Sequence, residues 1–435
     1  MKKLYAVLVL ALLLLLPLGA CEKTGELLPK PEQEEEIIPE PEEVEPANNY
    51  KIAFCTQYSS LDEEVWHCAQ KAVDIYGQEK INHYTGKGYS GPIAQEGVKS
   101  DFASVATKPN PFVPAGKEEV IGRYLGLAKD LDIKVVISNN NRFAAEAFGE
   151  VRKIRPDILL IAITPSETDT ISQFADIVMQ IDELAGGHLI PRQAQRLGAK
   201  TLVHYSFERH MSYPILSKRR DMMKEVCQEI GLEFVYAEAI DPYSDKGIPG
   251  AQQFILDDMP RKVEEYGKDT AFFATNCAMQ EPLIRAAMEQ KAIVAQQCCP
   301  SPYHGYPGAL AIEVPEDKAG DMLWMNEQIH SRLAEGKYEA FDWSSRKTEE
   351  VEFPIGMGRF STWPVPVAMV MGMAAVEYGM AFIEGRVGTA VDRKLLQECL
   401  QKAMLIYGYG DYQAYMTTHE DFGNFFQISE DYIIY

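Results

Sequence analysis

Eight cysteines are the most reactive side chains in this chain of 435 residues, and their spacing limits the chemistry that they can support. Cys21 closes the N-terminal segment, and the remaining seven are an odd number that cannot all pair as disulfides. These seven are Cys55, Cys68, Cys227, Cys277, Cys298, Cys299 and Cys399. Several of them lie in apolar segments, where cysteine behaves as a small hydrophobic residue. The spacings therefore do not predict a disulfide framework.

The adjacent pair Cys298 and Cys299, with His304 close behind, combines thiols with an imidazole. Such a cluster can bind a soft metal ion or supply a nucleophile. Zinc sites usually place about two to four residues between paired cysteines, and adjacent cysteines do not give that spacing. No motif typical of serine hydrolases, zinc peptidases or phosphate-binding loops occurs. The sequence accordingly predicts no metal site, no cofactor and no enzyme.

Polar and aromatic residues recur directly after the buried strands that the sequence predicts. In doubly wound sheets, ligands bind beyond the carboxyl ends of the strands, so these positions are candidate ligand-binding residues. They are Gln57, Tyr58, Asn139, Asn140, Thr164, Asp182, Ser206, Phe207, Arg209, Asp241, Asn276 and Tyr303. Their donors, acceptors and aromatic faces suit a small polar ligand.

Each of these positions also has a structural interpretation. The run Asn139–Asn141 can cap the next helix, because asparagine is a strong N-cap residue. Arg209 either pairs a carboxylate or phosphate of a ligand or lies on the surface. The rings of Tyr58, Phe207 and Tyr303 either stack on a sugar or base or pack in a core.

Two series of alternating strands and helices position these residues. The strands lack polar alternation, which predicts parallel sheets buried on both faces by helices. The first series of strands is Lys51–Gln57, Ile81–Tyr84, Ile133–Ser138, Asp157–Thr164 and Ile177–Ile181. The second series is Thr201–Ser206, Leu232–Ala237, Thr270–Thr275 and Ile293–Gln297, with Leu310–Val314 as a further candidate.

The stretch Gln180–Phe207 joins the two series through a turn at Asp182 and a helix that ends at Leu197-Gly198-Ala199-Lys200. A chain that completes one α/β set and then builds a second forms two doubly wound lobes with a cleft between them. The predicted boundaries are 50–199 for the first lobe, 200–336 for the second and 337–435 for a C-terminal segment. This segment contains a buried helix over Val365–Ile383, too short in its apolar run for a membrane span. Its aromatic tail is expected to pack across the lobes.

The N-terminus reads as a targeting segment. Lys2 and Lys3 precede the apolar run Leu4–Leu18, which is typical of a secretory signal. The ending Leu18-Gly19-Ala20-Cys21 resembles the lipobox of bacterial lipoproteins, in which the cysteine is lipidated and becomes the first residue. This resemblance implies a signal peptide over 1–20, lipidation of Cys21 and a location on the outer face of the bacterial cytoplasmic membrane. An uncleaved membrane anchor is the alternative.

Residues 21–49 are predicted to form an acidic tether. Between Glu22 and Asn49 the sequence has ten Glu, two Lys and five Pro, a composition that cannot bury enough apolar surface to fold. The net charge of the chain is −22. This charge argues against nucleic acid and against an anionic membrane surface as partners.

The interlobe stretch is similar to the first crossing of type 1 periplasmic-binding proteins, on the residues Asp182, Gly186 and Leu197–Lys200. The order of elements from Lys51 to about Val314 fits that fold. The resemblance implies three crossing segments, with a return through Leu310–Val314 or Val351–Ile355, and a ligand bound in the cleft. The acidic residue and arginine usual in the sugar-binding members are not placed in this sequence.

A second resemblance is narrower. The runs FFATNCAMQEPLIRAAMEQ (272–290) and CCPSPYHGYPGA (298–309) resemble an uncharacterised family of bacterial lipoproteins, which implies no activity.

These observations together predict a lipid-anchored extracytoplasmic solute-binding protein that captures a small polar ligand, with a membrane permease as partner. Two alternatives remain open: a ligand-sensing subunit of a membrane receptor, and an extracytoplasmic enzyme that uses Cys298, Cys299 and His304. A transcription factor is disfavoured, because no helix-turn-helix pattern precedes Tyr50 and the signal directs the chain out of the cell.

Overall fold

The computed structural model describes residues 49–57, 62–85, 116–139, 142–335, 337–342, 347–352 and 358–435. Cys21, Tyr58 and Asn140 lie outside these ranges. The residues from Asn48 onward belong to one unit, within which two lobes can be described together.

The first lobe is built on a seven-stranded sheet. Five of its strands are β1 (Lys51–Thr56), β2 (Ile81–Thr85), β3 (Ile133–Ser138), β4 (Leu159–Ile163) and β5 (Ile177–Ile181). They pair in parallel in the spatial order β5-β4-β3-β1-β2. Almost all of their residues are buried, as expected for strands covered by helices on both faces.

The helices of the first lobe's N-terminal part are α1 (Glu63–Tyr76), α2 (Lys117–Ala128), α3 (Ala144–Ile154) and the single turn α4 (Thr168–Ile171). Helix α1 begins where the side chain of Asp62 accepts a hydrogen bond from the backbone N–H of Val65, and it ends at Gly77 with φ of 80°. The buried face of α1 packs against the strands of the sheet. The helix follows β1 in the chain, so its first turn lies near the carboxyl end of that strand.

The second lobe has a smaller parallel sheet of β6 (Thr201–Ser206), β7 (Glu233–Glu238) and β8 (Thr270–Ala274), with β6 in the middle. Its helices are α5 (Ala185–Arg196), α6 (Glu208–Met211), α7 (Pro214–Ile230), α8 (Gly247–Tyr266), α9 (Gln280–Gln290), α10 (Tyr306–Ala309) and α11 (Met322–Glu335). Short 3-10 turns cover Cys277–Met279 and Glu316–Lys318.

Two of the strands predicted for this lobe differ from the structure. Ile293–Gln297 makes only single bridges, from Ile293 to Ala271 and from Val294 to Phe360. Leu310–Val314 is not a strand, because the backbone N–H of Leu310 completes the helical turn α10 by bonding to the carbonyl of Tyr306 at 2.9 Å. The apolar run is buried against other helices of the lobe, not paired in a sheet.

The C-terminal part returns to the first lobe. It consists of β9 (Lys337–Asp342), β10 (Lys347–Glu352), β11 (Ser361–Thr362), α12 (Val367–Ile383), α13 (Arg393–Ile406), β12 (Ala414–Thr418), β13 (Phe425–Glu430) and β14 (Ile433–Ile434). Strand β13 adds to β5 in parallel, and β12 adds to β13 in antiparallel. The buried helix predicted over Val365–Ile383 is confirmed as α12, which packs in the core of the first lobe. No helix of the described residues is long and apolar enough to cross a membrane.

Within the residues that the structure describes, three segments cross between the lobes: residues 182–184 after β5, residues 363–366 after β11, and residues 431–432 between β13 and β14. The predicted boundary at residue 199 comes too late, because α5 packs on α7 of the second lobe, with Gly187 directly against Met222. The predicted return through Leu310–Val314 also differs from the route through residues 363–366, and most of the alternative return, Val351–Ile355, lies outside the described residues. The architecture is two doubly wound α/β lobes with a cleft, of the type 1 periplasmic-binding-protein kind.

Candidate functional site

The carboxyl edge of the first sheet holds a hydrogen-bonded polar cluster. Asn139 follows β3, Thr164 follows β4, and Asp62 caps α1. The side-chain nitrogen of Asn139 donates to Asp62 Oδ2 at 3.0 Å and to Thr164 Oγ1 at 2.9 Å. Asn139 is completely buried, and its Oδ1 has no hydrogen-bond partner among the described residues. The structure thus brings two predicted ligand-binding residues together and leaves one buried acceptor for another group.

The local backbone and charge of this cluster are unusual. Thr164 has a left-handed φ of 48°, which is unfavourable for a β-branched residue and is typical of functional sites. Burial raises the pKa of Asp62, although hydrogen bonds from Val65 and Asn139 oppose the shift.

The carboxyl edge of the second sheet carries a matching cluster. Ser206 ends β6 and Thr275 follows β8. Ser206 Oγ lies 2.8 Å from Thr275 Oγ1, which in turn lies 3.0 Å from Nδ1 of His210. Burial and the nearby Arg209 lower the pKa of His210. This cluster offers a neutral imidazole and two hydroxyl groups at the strand ends.

Arg209 is paired within the protein. Its Nε and Nη2 donate to the two carboxylate oxygens of Asp241, each at 2.8 Å, and its guanidinium lies over the rings of Phe207 and Tyr243. This bidentate pair lines a cavity of about 450 Å³. The lining residues are Phe207, Glu208, Arg209, Ser212, Glu238, Ala239 and Asp241. Three predicted ligand-binding residues therefore share one cavity, but the charge of Arg209 is already balanced there.

Four other predicted residues make contacts within the protein. Asp182 accepts from the backbone N–H of Ala185 at 2.8 Å and from Thr417 at 3.1 Å. Asn276 accepts from the backbone N–H of Ala278, and Tyr303 Oη accepts from the backbone N–H of Gly320 at 2.8 Å. The backbone carbonyl of Gln57 accepts from Thr85 at 2.7 Å. These contacts give Asp182, Asn276, Tyr303 and Gln57 structural roles at the strand ends.

A cluster of four metal-ligating side chains lies beside the strand ends of the second lobe. We call Cys277, Cys298, Cys299 and His304 the thiol cluster. One ligand atom from each residue lies within 4.8 Å of the corresponding atom of every other. The sulfurs of Cys277 and Cys298 are 3.6 Å apart, and Nδ1 of His304 donates to the backbone carbonyl of Cys299 at 2.7 Å. The sequence singled out three of these residues; the tertiary structure adds Cys277.

The members of the thiol cluster change one another's acidity. Thiol groups of Cys298 and Cys299 and the imidazole of His304 hold the pKa of Cys277 well below its usual range. The pKa values of Cys298 and Cys299 are raised well above theirs, with Cys277 as the largest cause. Burial lowers the pKa of His304, but the Cys277 sulfur outweighs it and the net shift is upward. The direction of these shifts favours Cys277 over Cys298 and Cys299 as the thiol that ionises first.

The two lobes meet directly beside this cluster. Ser301 of the second lobe donates to Glu64 Oε1 of the first at 2.6 Å. Burial raises the pKa of Glu64 to about 7, with Asp62 adding to the shift and Ser301 and His304 opposing it. The start of α1, with Asp62 and Glu64, therefore faces the loop from Cys298 to His304 across the cleft.

Sequence reasoning missed Asp62, Glu64, His210 and Cys277. Cys277 lies three residues beyond the end of β8, so a wider search past each strand end could have included it. Asp62 and Glu64 open a helix that follows β1, and the N-terminus of such a helix is a recurrent ligand-binding position.

Residues 50–340 match the model of a protein family described as "Protein of unknown function (DUF3798)". The chain belongs to this family. Two proteins of Treponema pallidum (strain Nichols), both named as uncharacterized, are similar to it. One is 41% identical over 167 residues, which are 38% of this chain and 77% of the relative. The other is 36% identical over 196 residues, which are 45% of this chain and 81% of the relative.

Among solved structures, a candidate transcriptional regulator from Clostridium difficile 630 is similar to this chain with a TM-score of 0.71. It is 21% identical, and the similarity covers 89% of this chain and 99% of that one. At this identity the similarity shows the fold of the DUF3798 chain and no activity. A sugar ABC transporter protein from Actinomyces odontolyticus ATCC 17982 gives a TM-score of 0.47 at 10% identity, covering 78% of this chain and 85% of that one.

Proposed function

We propose that this DUF3798 protein is a lipid-anchored extracytoplasmic binding protein that closes its two lobes on a small polar ligand and delivers it to a membrane transporter. The observation that carries the proposal is a polar cluster at the strand ends of each lobe, in two lobes that Ser301 and Glu64 bring into contact. Asn139 with Thr164 lies on the first lobe, and Ser206 with Thr275 lies on the second. Lobe closure around a bound ligand is the usual motion of such a two-lobe architecture.

The clusters favour a neutral ligand that both donates and accepts hydrogen bonds. The buried Oδ1 of Asn139 needs a donor, since an unsatisfied buried acceptor costs about 1–3 kcal/mol. His210 and the hydroxyl groups of Ser206 and Thr275 can act as donors or acceptors. Arg209 is neutralised by Asp241, so the cavity in the second lobe does not present a free cation to an anionic ligand.

Thermal unfolding of residues 22–435 against sugars, nucleosides, amino acids and carboxylates tests the proposal. A ligand that binds only the folded state stabilises it by about 2.7 kcal/mol at a hundred times its Kd, which raises the Tm. Asn139→Ala should abolish the shift, and Arg209→Ala should weaken it. Asn82→Ala is the matched control, because Asn82 is an equally polar buried residue that donates to Gln78.

A uniform absence of Tm shifts, or a shift that survives Asn139→Ala, would contradict this assignment.

The lipid anchor is tested separately. Cys21→Ala should prevent incorporation of a labelled fatty acid. Continued labelling of that variant would exclude Cys21 as the lipidation site.

A further inference from the structure

The thiol cluster has the composition and spacing of a complete coordination sphere. A zinc ion holds thiolate sulfurs at about 2.3 Å, so the sulfurs of a tetrahedral site lie about 3.8 Å apart. The sulfurs of Cys277 and Cys298 are 3.6 Å apart, and all four ligand atoms lie within 4.8 Å of one another. Adjustments of about an ångström bring the four ligand atoms to the spacing of a tetrahedral zinc site.

The imidazole is oriented as in metal-binding histidines. His304 donates from Nδ1 to the backbone carbonyl of Cys299, which leaves Nε2 as the ligand atom. Histidines that bind metals usually donate their second ring N–H to a carbonyl or carboxylate, because this fixes the tautomer and the ring orientation.

Hydrogen bonds outside the cluster fix the backbone that carries it. Gln297, which is completely buried, donates to the backbone carbonyls of Ser301 and His304 and thereby closes the loop from Cys298 to His304. Asn276 caps the turn that carries Cys277. The loop and the turn therefore hold the ligands in place by contacts that do not involve the thiols.

We propose that Cys277, Cys298, Cys299 and His304 bind one Zn²⁺ ion in a four-ligand structural site on the cleft wall of the second lobe. Coordination forms three S–Zn bonds and one N–Zn bond, every proton still held by the thiols is released to solvent, and no oxidant or reductant is needed. Four protein ligands leave no open position for substrate, so the ion has a structural role. It braces the loop whose Ser301 contacts Glu64 of the first lobe.

This inference is independent of the small ligand proposed for the cleft, because all four metal ligands belong to the second lobe. The test uses the full-length chain, purified in detergent, reduced, freed of metal and then dialysed against Zn²⁺. We expect about one zinc per chain by elemental analysis. Co²⁺ in place of Zn²⁺ should give the visible absorption of a tetrahedral ion together with sulfur-to-cobalt charge-transfer bands. These spectra test the native sequence even if a variant fails to fold.

Three variants locate the site. Cys277→Ser, Cys299→Ser and His304→Ala should each weaken Zn²⁺ binding by more than the roughly 10- to 100-fold that follows loss of an outer-sphere partner. Cys227→Ser is the control, since Cys227 is a buried thiol of the same lobe in α7, outside the cluster. It should bind zinc as the native chain does.

Three results would overturn the proposal. These are no zinc bound by the reduced chain, a cobalt form without charge-transfer bands, and zinc retained in both Cys277→Ser and His304→Ala. A Cys277–Cys298 disulfide in unreduced protein, combined with no zinc uptake after reduction, would assign the cluster to redox pairing.

Discussion

His204 shows how burial lowers the pKa of a single histidine. It lies in β6 at the middle of the second sheet, fully buried, and neither ring nitrogen has a hydrogen-bond partner among the described residues. Its ring lies 5.5–6.0 Å from those of Phe234, Tyr236 and Phe273. Burial lowers its pKa from 6.5 to about 3, with Arg219 adding to the shift. The residue therefore stays neutral in the fold but accepts a proton in the unfolded chain below about pH 6.5.

His204→Phe should reduce the sensitivity of the fold to acid. Between about pH 6.5 and pH 3 the unfolded native chain binds more protons than the folded chain, so stability falls on acidification through this window. In His204→Phe the destabilisation at acid pH that comes from His204 is removed. The destabilisation that comes from His83, whose pKa is also lowered to about 3, remains. Urea unfolding across the pH range measures the difference. His188→Phe is the control at an exposed position, and an unchanged pH profile in His204→Phe would refute the prediction.

At the scale of elements, α12 attaches the C-terminal part of the chain to the first lobe by packing in its core. The helix is buried on nearly all sides, and two glycines seven residues apart face the sheet. A Cβ at Gly372 would lie 2.8 Å from Cys68 Sγ, and a Cβ at Gly379 would lie 2.9 Å from Ile52 Cδ1. The absent side chains allow the helix to approach both α1 and β1, because cores are packed without spare volume.

Gly379→Ala should destabilise the protein by about 1–3 kcal/mol, because the added methyl group overpacks this contact. The matched control is Gly126→Ala in α2, where a Cβ would meet no atom within 4 Å. There the better helix propensity of alanine should stabilise by about 1 kcal/mol. Chemical denaturation measures both changes, and equal effects of the two substitutions would count against close packing at α12.

At the scale of the molecule, the chain leaves the first lobe, builds the second and returns to complete the sheet that it began. Strand β13 pairs with β5, with Phe425 opposite Val178. Phe426 is fully buried in the core that β1, α1 and α12 share. The first lobe therefore depends on contacts between residues about 250 positions apart in sequence, which carry a high loop-closure cost during folding.

Phe426→Ala should lower the unfolding free energy by about 3–5 kcal/mol, because it opens a cavity in this core. Tyr415→Ala in the neighbouring strand β12 is the control. Tyr415 is 49% exposed, and its loss should cost at most about 1 kcal/mol. Hydrogen exchange at β5 should rise in Phe426→Ala alone. Unchanged protection of β5 would mean that β13 does not stabilise the sheet.

Much of the fold was predictable from local patterns. Continuous apolar runs such as Leu159–Ile163 predicted buried parallel strands, and the turn at Asp182 predicted the crossing between lobes. The route of the return was not predictable, because β13 finds its partner β5 only in the folded chain. The rule that ligands bind beyond the carboxyl ends of strands identified both Asn139 and Thr164, which are hydrogen-bonded in the structure. It could not show that Asp241 neutralises Arg209.

The sequence by itself determined most strands and helices of the two lobes and their order along the chain, because burial periodicity and turn chemistry act over a few residues. It also predicted polar side chains at the strand ends. Only the tertiary structure decided which distant groups share a site. Cys277 and Cys298 are 21 positions apart, and Glu64 and Ser301 are 237 apart, yet each pair is in contact. Such long-range contacts depend on how the strands pair and how the lobes pack, and no local sequence pattern encodes them.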